Sequence, residues 1–229
     1  ILFKRNISSE SQLIDLIKII KKIMMDKKYP ILIDEEGGKV SRLSNFLDNS
    51  QFNQKYFGSI YMQNKTIGTK LYKLYLNSIS KTLTKVGINI NTSPVLDLIK
   101  KNTHIVIGNR SYSTNPSIVN ELGRLCIKFY KKNKIATVIK HIPGHGSATS
   151  DSHLTLPKVK DTIQQLKKND FKCFRNTSSF FAMTAHILYS KIDKKNNVTH
   201  SKDIIKKIIR KEIGFKGILI SDDISMKAL

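Results

Sequence analysis

Three of the six histidines in this chain lie within one short segment, IKHIPGHGSATSDSHLTLP, residues 139–157. In its second half, Asp151 and His153 flank Ser152 on a loop of small residues. A carboxylate in this place can accept a hydrogen bond from one imidazole nitrogen, which fixes the tautomer and raises the basicity of the other nitrogen. Such a pair can protonate a leaving oxygen and later take a proton from water, so the segment predicts general acid and base chemistry.

The same segment also offers the ligand types of a zinc site. The candidate ligands are His141, His145, His153 and Asp151. Neither HExxH nor CxxC occurs in the chain, however, and the stretch PGHGS lacks both common phosphate-loop patterns. We therefore expect no metal and no cofactor, and we expect His145 to tie its loop together by hydrogen bonds to the backbone.

A second candidate lies in the segment GILISDDISM, where the adjacent Asp222 and Asp223 end an apolar run. Adjacent side chains on a strand point to opposite faces, so only one of the two can enter a pocket beyond the strand. A carboxylate there suits a nucleophile or an electrostatic stabiliser in sugar chemistry. The alternative is that these residues only cap the next helix.

Charged residues that could hold a substrate occur in two further segments. In LIDEEGGKVSRL, Asp34 ends a strand, the glycine pair permits a tight turn, and Arg42 can reach back over a pocket. Asp34 suits paired hydrogen bonds to sugar hydroxyls, and Arg42 and Arg110, the latter in GNRSY, could bind further oxygens.

These residues depend on a repeated pattern in which short β-branched runs alternate with amphipathic helical segments. In each repeat the polar residues fall at or just beyond the end of the β run: Asp34, Asp97, Lys140 with His141, His186 and Asp222. A parallel sheet brings these ends to one face, where (β/α)8 barrels and doubly wound sheets bind their ligands. About six to seven strand–helix units indicate an α/β fold, an incomplete (β/α)8 TIM barrel; the open doubly wound sheet is the alternative.

The length of 229 residues suits one domain, residues 1–229, with a single core. The net charge of +23 raises nucleic acid as a partner, but the lysines are spread over every amphipathic segment and do not alternate with aromatic residues. No apolar stretch is long enough for a membrane span, and Cys126 and Cys173 lie far apart within predicted helices, which favours a reducing compartment. We expect a cytoplasmic monomer with no membrane partner and no specific nucleic-acid partner; a basic nucleic-acid-binding α/β domain is the alternative from another functional class.

Six segments are similar, in the same order, to motifs of glycoside hydrolase family 3: LIDEEGGKVSRL, SPVLDL, VIGNRSYS, KHIPGHGSATSDSHLTLP, MTAHILY and SDDISM. The similarity runs from Ile1 to Leu229, and within the family the chain resembles the bacterial cytoplasmic β-N-acetylglucosaminidases. The resemblance implies a (β/α)8 barrel that removes terminal, non-reducing β-linked N-acetylglucosamine with retention. The implied substrates are muropeptides of peptidoglycan recycling, cleaved through a covalent glycosyl-aspartate intermediate.

The same resemblance assigns a role to each site residue. Asp222 is implied to be the nucleophile, and His153, oriented by Asp151, is implied to be the general acid and then the base. The residues implied to hold the sugar are Asp34, Arg42, Arg110, Lys140 and His141.

The sequence departs from the family pattern at three positions. Glu35 stands where we expect a neutral polar residue, Lys39 replaces an arginine, and Ile142 replaces an aromatic residue. The family barrel also continues beyond SDDISM, so we expect a C-terminally truncated barrel with an exposed edge strand. Two other family 3 activities, β-glucosidase and N-acetylglucosaminide phosphorylase, stay open as alternatives.

Overall fold

The structure is a computed structural model that describes residues 1–100, 103, 105–148 and 155–229. Its centre is a parallel sheet of five strands in the order β1-β2-β3-β5-β7. These strands are β1 (Leu32–Ile33), β2 (Ile90–Asn91), β3 (Ala136–Ile142), β5 (Phe181–Thr184) and β7 (Ile218–Ser221). A second, two-stranded parallel sheet pairs β4 (Lys158–Val159) with β6 (Leu188–Tyr189).

The order of the strands in the main sheet follows their order in the chain. Each pairing is parallel, and Leu2 extends the sheet beyond β1 through a parallel bridge to Ile33. A doubly wound sheet would reverse its strand order at a switch point, so this alternative is wrong. No strand within the described residues pairs with the outer edge of β7, and the described part of the sheet is therefore not closed.

The helices connect successive strands. They are α1 (Glu10–Ile23), α2 (Gln54–Gln63), α3 (Lys65–Val86), α4 (Pro116–Lys132), α5 (Ile163–Lys168), α6 (Asp170–Phe174) and a π-helix (Ile204–Glu212), with 3-10 turns at Lys4–Asn6 and Gly108–Arg110. Residues with a known preference for helix ends stand at three boundaries: Ser9 caps α1, Pro116 starts α4, and Gly87 ends α3 in the left-handed region with φ 90°. No helix that the structure describes is both long and apolar enough to cross a membrane.

One large apolar cluster lies between the main sheet and the helices. Each long helix contributes an apolar stripe, for example Leu13 and Ile17 of α1 and Leu76, Ile79 and Leu83 of α3. The lysines of these helices lie on the opposite, solvent-facing side, as amphipathic periodicity predicts. Because the strands are parallel, the polar residues that follow them lie together at one end of the sheet.

Candidate active site

A cavity of about 940 Å³ opens at the carboxyl ends of the strands. Six of the eight predicted site residues line it: Asp34, Arg42, Arg110, Lys140, His141 and Asp222. The other two, Asp151 and His153, lie outside the described residues. The structure therefore brings these six side chains together from distant parts of the chain.

Lys140 occupies the centre of the cavity floor. Its side chain is 3% exposed, and its Nζ atom lies 2.6 Å from Oε1 of Glu36 and 3.1 Å from Oδ1 of Asp34. The hydroxyl oxygen of Thr92 is a third partner at 3.0 Å. A buried ammonium with three oxygen partners is fixed in position, because every donor it carries is in use.

Two arginines complete this charge network from the cavity wall. Nη2 of Arg42 lies 3.0 Å from Oδ2 of Asp34. Arg110 binds Glu36 in a bidentate manner, with Nε 2.8 Å from Oε2 and Nη2 2.9 Å from Oε1. Asp34 and Glu36 therefore each contact Lys140 and one arginine.

The network keeps both carboxylates ionised. Burial opposes the ionisation of Asp34, but the charge of Lys140 and hydrogen bonds from Thr92 and Arg42 outweigh it, so the pKa of Asp34 lies well below its ordinary value. In the same way, burial is outweighed by the charges of Arg110 and Lys140, which lower the pKa of Glu36 to about 2. The cavity floor consequently presents charged acceptors and donors near neutral pH, as the recognition of hydroxyl groups requires.

Asp97 is a fully buried carboxylate to which sequence reasoning gave no role. It accepts hydrogen bonds from the backbone nitrogens of His145, at 2.6 Å, and His141, at 3.2 Å. Its other oxygen, Oδ2, lies 2.6 Å from Nδ1 of His141. Burial opposes the ionisation of Asp97. The charge of His141 and the hydrogen bonds that His141 donates outweigh this effect and lower the pKa of Asp97. A carboxylate only accepts hydrogen bonds, so Nδ1 of His141 carries a hydrogen and donates it to Asp97. The other ring nitrogen, Nε2, points away from Asp97.

Nε2 of His141 faces the predicted nucleophile. It lies 3.7 Å from Oδ2 of Asp222, whose side chain is 19% exposed. Oδ1 of Asp222 accepts a hydrogen bond of 2.8 Å from the backbone nitrogen of Asp223. The carboxylate of Asp223 itself accepts from the backbone nitrogen and the hydroxyl of Ser225. Both aspartates line the cavity, which differs from the expectation that only one can enter it, but their contacts differ: Asp222 faces His141, and Asp223 holds the turn that follows β7.

His145 holds its loop through backbone hydrogen bonds. Its nitrogen donates to Oδ1 of Asp97 at 2.6 Å, and its carbonyl oxygen accepts from the nitrogen of Ala148 at 3.0 Å. Nδ1 of the buried ring has no hydrogen-bond partner among the described residues. Burial lowers the pKa of His145 to about 4, so the ring is neutral near pH 7. No group of three histidine, cysteine or acidic side chains within the described ranges is arranged to hold a metal ion.

Glu35, the first departure from the family pattern, is buried beside the network and organises the loop that carries Arg42. Its Oε2 atom accepts from the backbone nitrogens of Arg42, at 2.9 Å, and Leu43, at 3.1 Å, and from the hydroxyl of Ser41. Its Oε1 atom accepts from the amide of Asn49, whose own Oδ1 has no partner among the described residues. Burial raises the pKa of Glu35, because no described cation contacts this carboxyl.

We expect Glu35→Gln to raise the free energy of unfolding at pH 7 by about 1 kcal/mol. The oxygen of the new glutamine can keep the three bonds that Oε2 accepts. Its amide nitrogen can donate to Oδ1 of Asn49 once the amide group of Asn49 has rotated by about 180°. A carboxyl with a raised pKa contributes stability below its unfolded pKa and loses it as pH rises through the folded pKa. The gain should therefore be larger at pH 7 than at pH 4 in urea unfolding.

The control for this prediction is Asp15→Asn, which neutralises an exposed carboxylate on α1. It should change the free energy of unfolding by less than about 0.5 kcal/mol at both pH values. A Glu35→Gln variant that is less stable than the original protein at pH 7, or a gain that is independent of pH, would contradict the interpretation.

The sequence of this chain is similar to known glycoside hydrolases. The sequence matches the glycosyl hydrolase family 3 N terminal domain over residues 1–229. The chain is 34% identical over 232 residues to a beta-hexosaminidase of Neisseria meningitidis serogroup A, covering 99% of this chain and 63% of the relative. It is 29% identical to beta-hexosaminidase A of Pseudoalteromonas piscicida, of which it covers 41%.

Solved structures agree. Native NagZ from Neisseria gonorrhoeae superposes with a TM-score of 0.89 at 32% identity over 98% of this chain and 65% of that one. A family 3 β-N-acetylglucosaminidase from Paenibacillus superposes with a TM-score of 0.88 at 29% identity, over 99% of this chain and 43% of that one. The chain thus spans less than two thirds of the length of these relatives. The predicted TIM-barrel-like α/β fold is confirmed, and the chain belongs to glycosyl hydrolase family 3, whose N-terminal domain matches residues 1–229.

Proposed function

We propose that residues 1–229 form the catalytic barrel domain of a retaining β-N-acetylglucosaminidase. The substrate we propose is a muropeptide with terminal, non-reducing β-linked N-acetylglucosamine, cleaved in the cytoplasm during peptidoglycan recycling by a monomer that needs no cofactor. One observation carries this proposal: a free carboxylate oxygen of Asp222 faces a cavity whose floor is built from paired charges that suit sugar hydroxyls. The relatives named above support the choice of N-acetylglucosamine.

The reaction follows in two steps. In the first, Oδ2 of Asp222 attacks the anomeric carbon, the bond to the leaving oxygen breaks, and His153 donates its proton to that oxygen. In the second, His153 takes a proton from water, whose oxygen attacks the anomeric carbon and releases Asp222 as a carboxylate. Two displacements restore the β configuration. The roles of His153 and Asp151 are proposals from the family motif, since both residues lie outside the described ranges.

The remaining predicted residues can bind the sugar. Asp34 offers carboxylate oxygens to hydroxyl donors, and Arg42 and Arg110 offer N–H donors to hydroxyl oxygens. Lys140, whose three donors are in use, holds Asp34 in position for the sugar. Their mutual bonds fix these groups before a sugar enters, which reduces the entropy lost on binding. His141 lies between this cluster and Asp222, so a pyranose ring held on the floor has its anomeric carbon near the nucleophile.

The rim of the cavity favours an acidic aglycone. Arg5 and Lys39 are exposed, line the cavity, and form no ion pair with another described residue. The guanidinium of Arg5 lies 4.5 Å from the ring centroid of Phe3, which holds it at the rim. Two uncompensated cations at the mouth of the cavity attract carboxylates such as those on the peptide of a muropeptide.

We expect Lys39→Glu to lower kcat/KM for an N-acetylglucosaminyl muropeptide by about threefold to tenfold at low ionic strength. Hydrolysis of the neutral 4-nitrophenyl N-acetyl-β-D-glucosaminide should stay unchanged, because this aglycone has no negative charge. The matched control is Lys18→Glu on the outer face of α1, where the lysine side chain is 73% exposed. An equal loss with both substrates, or an equal loss in Lys18→Glu, would contradict a specific rim contact.

The direct test of the proposed function is hydrolysis of 4-nitrophenyl N-acetyl-β-D-glucosaminide beside the matching β-D-glucoside. We expect turnover of the first and little of the second, with β-N-acetylglucosamine as the initial product in NMR. Preferred turnover of the glucoside would favour the β-glucosidase alternative. Accumulation of N-acetylglucosamine 1-phosphate when inorganic phosphate is added would favour the phosphorylase. Absence of turnover with every glycoside and with the muropeptide would refute the proposal.

A further inference from the structure

We propose that His186 is a positioning residue that holds the turn after β7 and thereby directs Oδ2 of Asp222 toward the anomeric carbon. The inference rests on the proposed function of Asp222 as the nucleophile, and it assigns a role to a strand-end histidine that the proposed mechanism does not use. The observations that carry it are the burial of His186 and its bonds on both sides of the imidazole ring.

His186 follows β5 and is 1% exposed. It is not among the described residues that line the cavity, so it acts on the site only through its neighbours. Nε2 lies 3.2 Å from the backbone carbonyl oxygen of Asp223, and Nδ1 lies 2.8 Å from the hydroxyl oxygen of Thr199. A carbonyl oxygen only accepts, so Nε2 carries a hydrogen and donates it to Asp223.

The hydroxyl of Thr199 connects this bond to a second point on β7. Its oxygen lies 3.0 Å from the hydroxyl oxygen of Thr184, and that oxygen lies 3.4 Å from the backbone carbonyl oxygen of Ile220. Because Thr199 donates its one hydrogen to Nδ1 of His186, the hydroxyl of Thr184 donates to one of these two acceptors at a time. The contacts from Thr184 to His186 therefore hold the backbone two residues before and one residue after the nucleophile.

This backbone decides which carboxylate oxygen is free. The nitrogen of Asp223 donates to Oδ1 of Asp222 at 2.8 Å, while the carbonyl of the same residue accepts from His186 and, at 3.1 Å, from the nitrogen of Met226. With Oδ1 in use, Oδ2 is the oxygen that faces the cavity near His141. If the turn moves, the bond to Oδ1 moves with it and the reacting oxygen loses its alignment.

Misplacement of a reacting group by about 1 Å can lower the rate on the order of 100-fold without changing the affinity for substrate. We therefore expect His186→Asn to lower kcat by about 10-fold to 100-fold with KM unchanged. The shorter asparagine amide can contact Thr199 but cannot reach the carbonyl of Asp223. His186→Gln is the matched variant, because its amide nitrogen reaches the place of Nε2 and can donate to that carbonyl; its kcat should stay within about threefold of the original value.

The experiment measures kcat and KM for 4-nitrophenyl N-acetyl-β-D-glucosaminide in both variants, together with the inhibition constant of N-acetylglucosamine and the unfolding midpoint. A rise in KM without loss of kcat would show a substrate contact and overturn the proposal. So would equal kcat values in His186→Asn and His186→Gln, whether both are high or both are low.

A second variant protects this test against a folding failure. If His186→Asn does not fold, Thr199→Val removes the hydroxyl that connects His186 to Thr184 but leaves the imidazole in place. We expect its kcat to fall by about threefold to tenfold with KM unchanged, and an unchanged kcat would overturn the proposal. Loss of turnover in the original protein itself would instead refute the proposed function on which the inference rests.

Discussion

Asp222→Asn removes the attacking group and should lower kcat for 4-nitrophenyl N-acetyl-β-D-glucosaminide by roughly 1,000-fold or more. Asparagine has nearly the same shape and can still accept the bond from the nitrogen of Asp223, so the turn and the fold should persist. The amide nitrogen that replaces one carboxylate oxygen is not nucleophilic. Steady-state rates and the unfolding midpoint, measured on the same preparation, separate loss of chemistry from loss of structure.

The control is Asp15→Asn, an exposed change on α1 far from the cavity, which should keep full activity. A third variant tests the role of Asp222 directly. In Asp222→Ala, azide can attack the anomeric carbon from the vacated side, so added azide should restore turnover and yield the α-glycosyl azide. Undiminished turnover in Asp222→Asn, or a β-configured azide product, would rule out Asp222 as the nucleophile.

Lys140→Met should destabilise the protein by about 3–5 kcal/mol and abolish hydrolysis. Methionine fills a similar volume but leaves Asp34 and Glu36 buried and without the ammonium that lies within 3.1 Å of both. Because the two carboxyls have lowered pKa values, they contribute stability above their unfolded pKa and lose it as pH falls through the folded pKa. The difference between the two proteins should therefore be greatest near pH 7 and shrink toward pH 2 in urea unfolding.

The double variant Lys140→Met with Glu36→Gln serves as the matched comparison. In Lys140→Met, Asp34 and Glu36 each keep one arginine partner. Replacement of Glu36 also removes the bidentate partner of Arg110, so the double variant should be no more stable than Lys140→Met alone. It should recover no activity, because Asp34 still lacks the ammonium. A single variant with unchanged stability, or a double variant as stable as the original protein, would contradict the charge network described for the cavity floor.

Sequence reasoning located the site well where a functional side chain follows a strand directly. Asp34, Lys140 and Asp222 all end β runs, and parallel strand ends meet whatever the details of packing. The same pattern placed Asp97 at the strand ends but gave it no role. That role depends on the ring of His141, 44 positions away in the chain. A hydrogen bond between distant residues leaves no spacing pattern that a single sequence can reveal.

The pair Glu35 and Glu36 shows the same limit at closer range. Both acids follow Asp34, and alternation along the chain predicts that their side chains diverge. Sequence alone does not say which one joins the cavity: Glu36 binds Lys140 and Arg110, whereas Glu35 turns to the backbone of the following loop. That choice depends on Lys140, which β3 supplies about 100 residues later in the chain.

The helices and strands of the fold differ in how far the sequence can predict them. Helix ends such as Gly87 and Pro116 carry local signals, since capping depends on a few neighbouring residues. Strand lengths carry no such signal, because β1 and β2 are only two residues long and exist through pairing with neighbours. The roles of Asp151 and His153 stay predictions, since they fall outside the described ranges.

The bidentate grip of Arg110 on Glu36 has a consequence for the unusual composition of this protein. Only six of its 40 basic residues are arginines, and the other 34 are lysines. A lysine cannot supply two parallel N–H donors to one carboxylate, because its charge is concentrated at a single nitrogen. Arg110→Lys is therefore not a conservative replacement, because it would remove one of the three N–H donors that the carboxylate of Glu36 accepts.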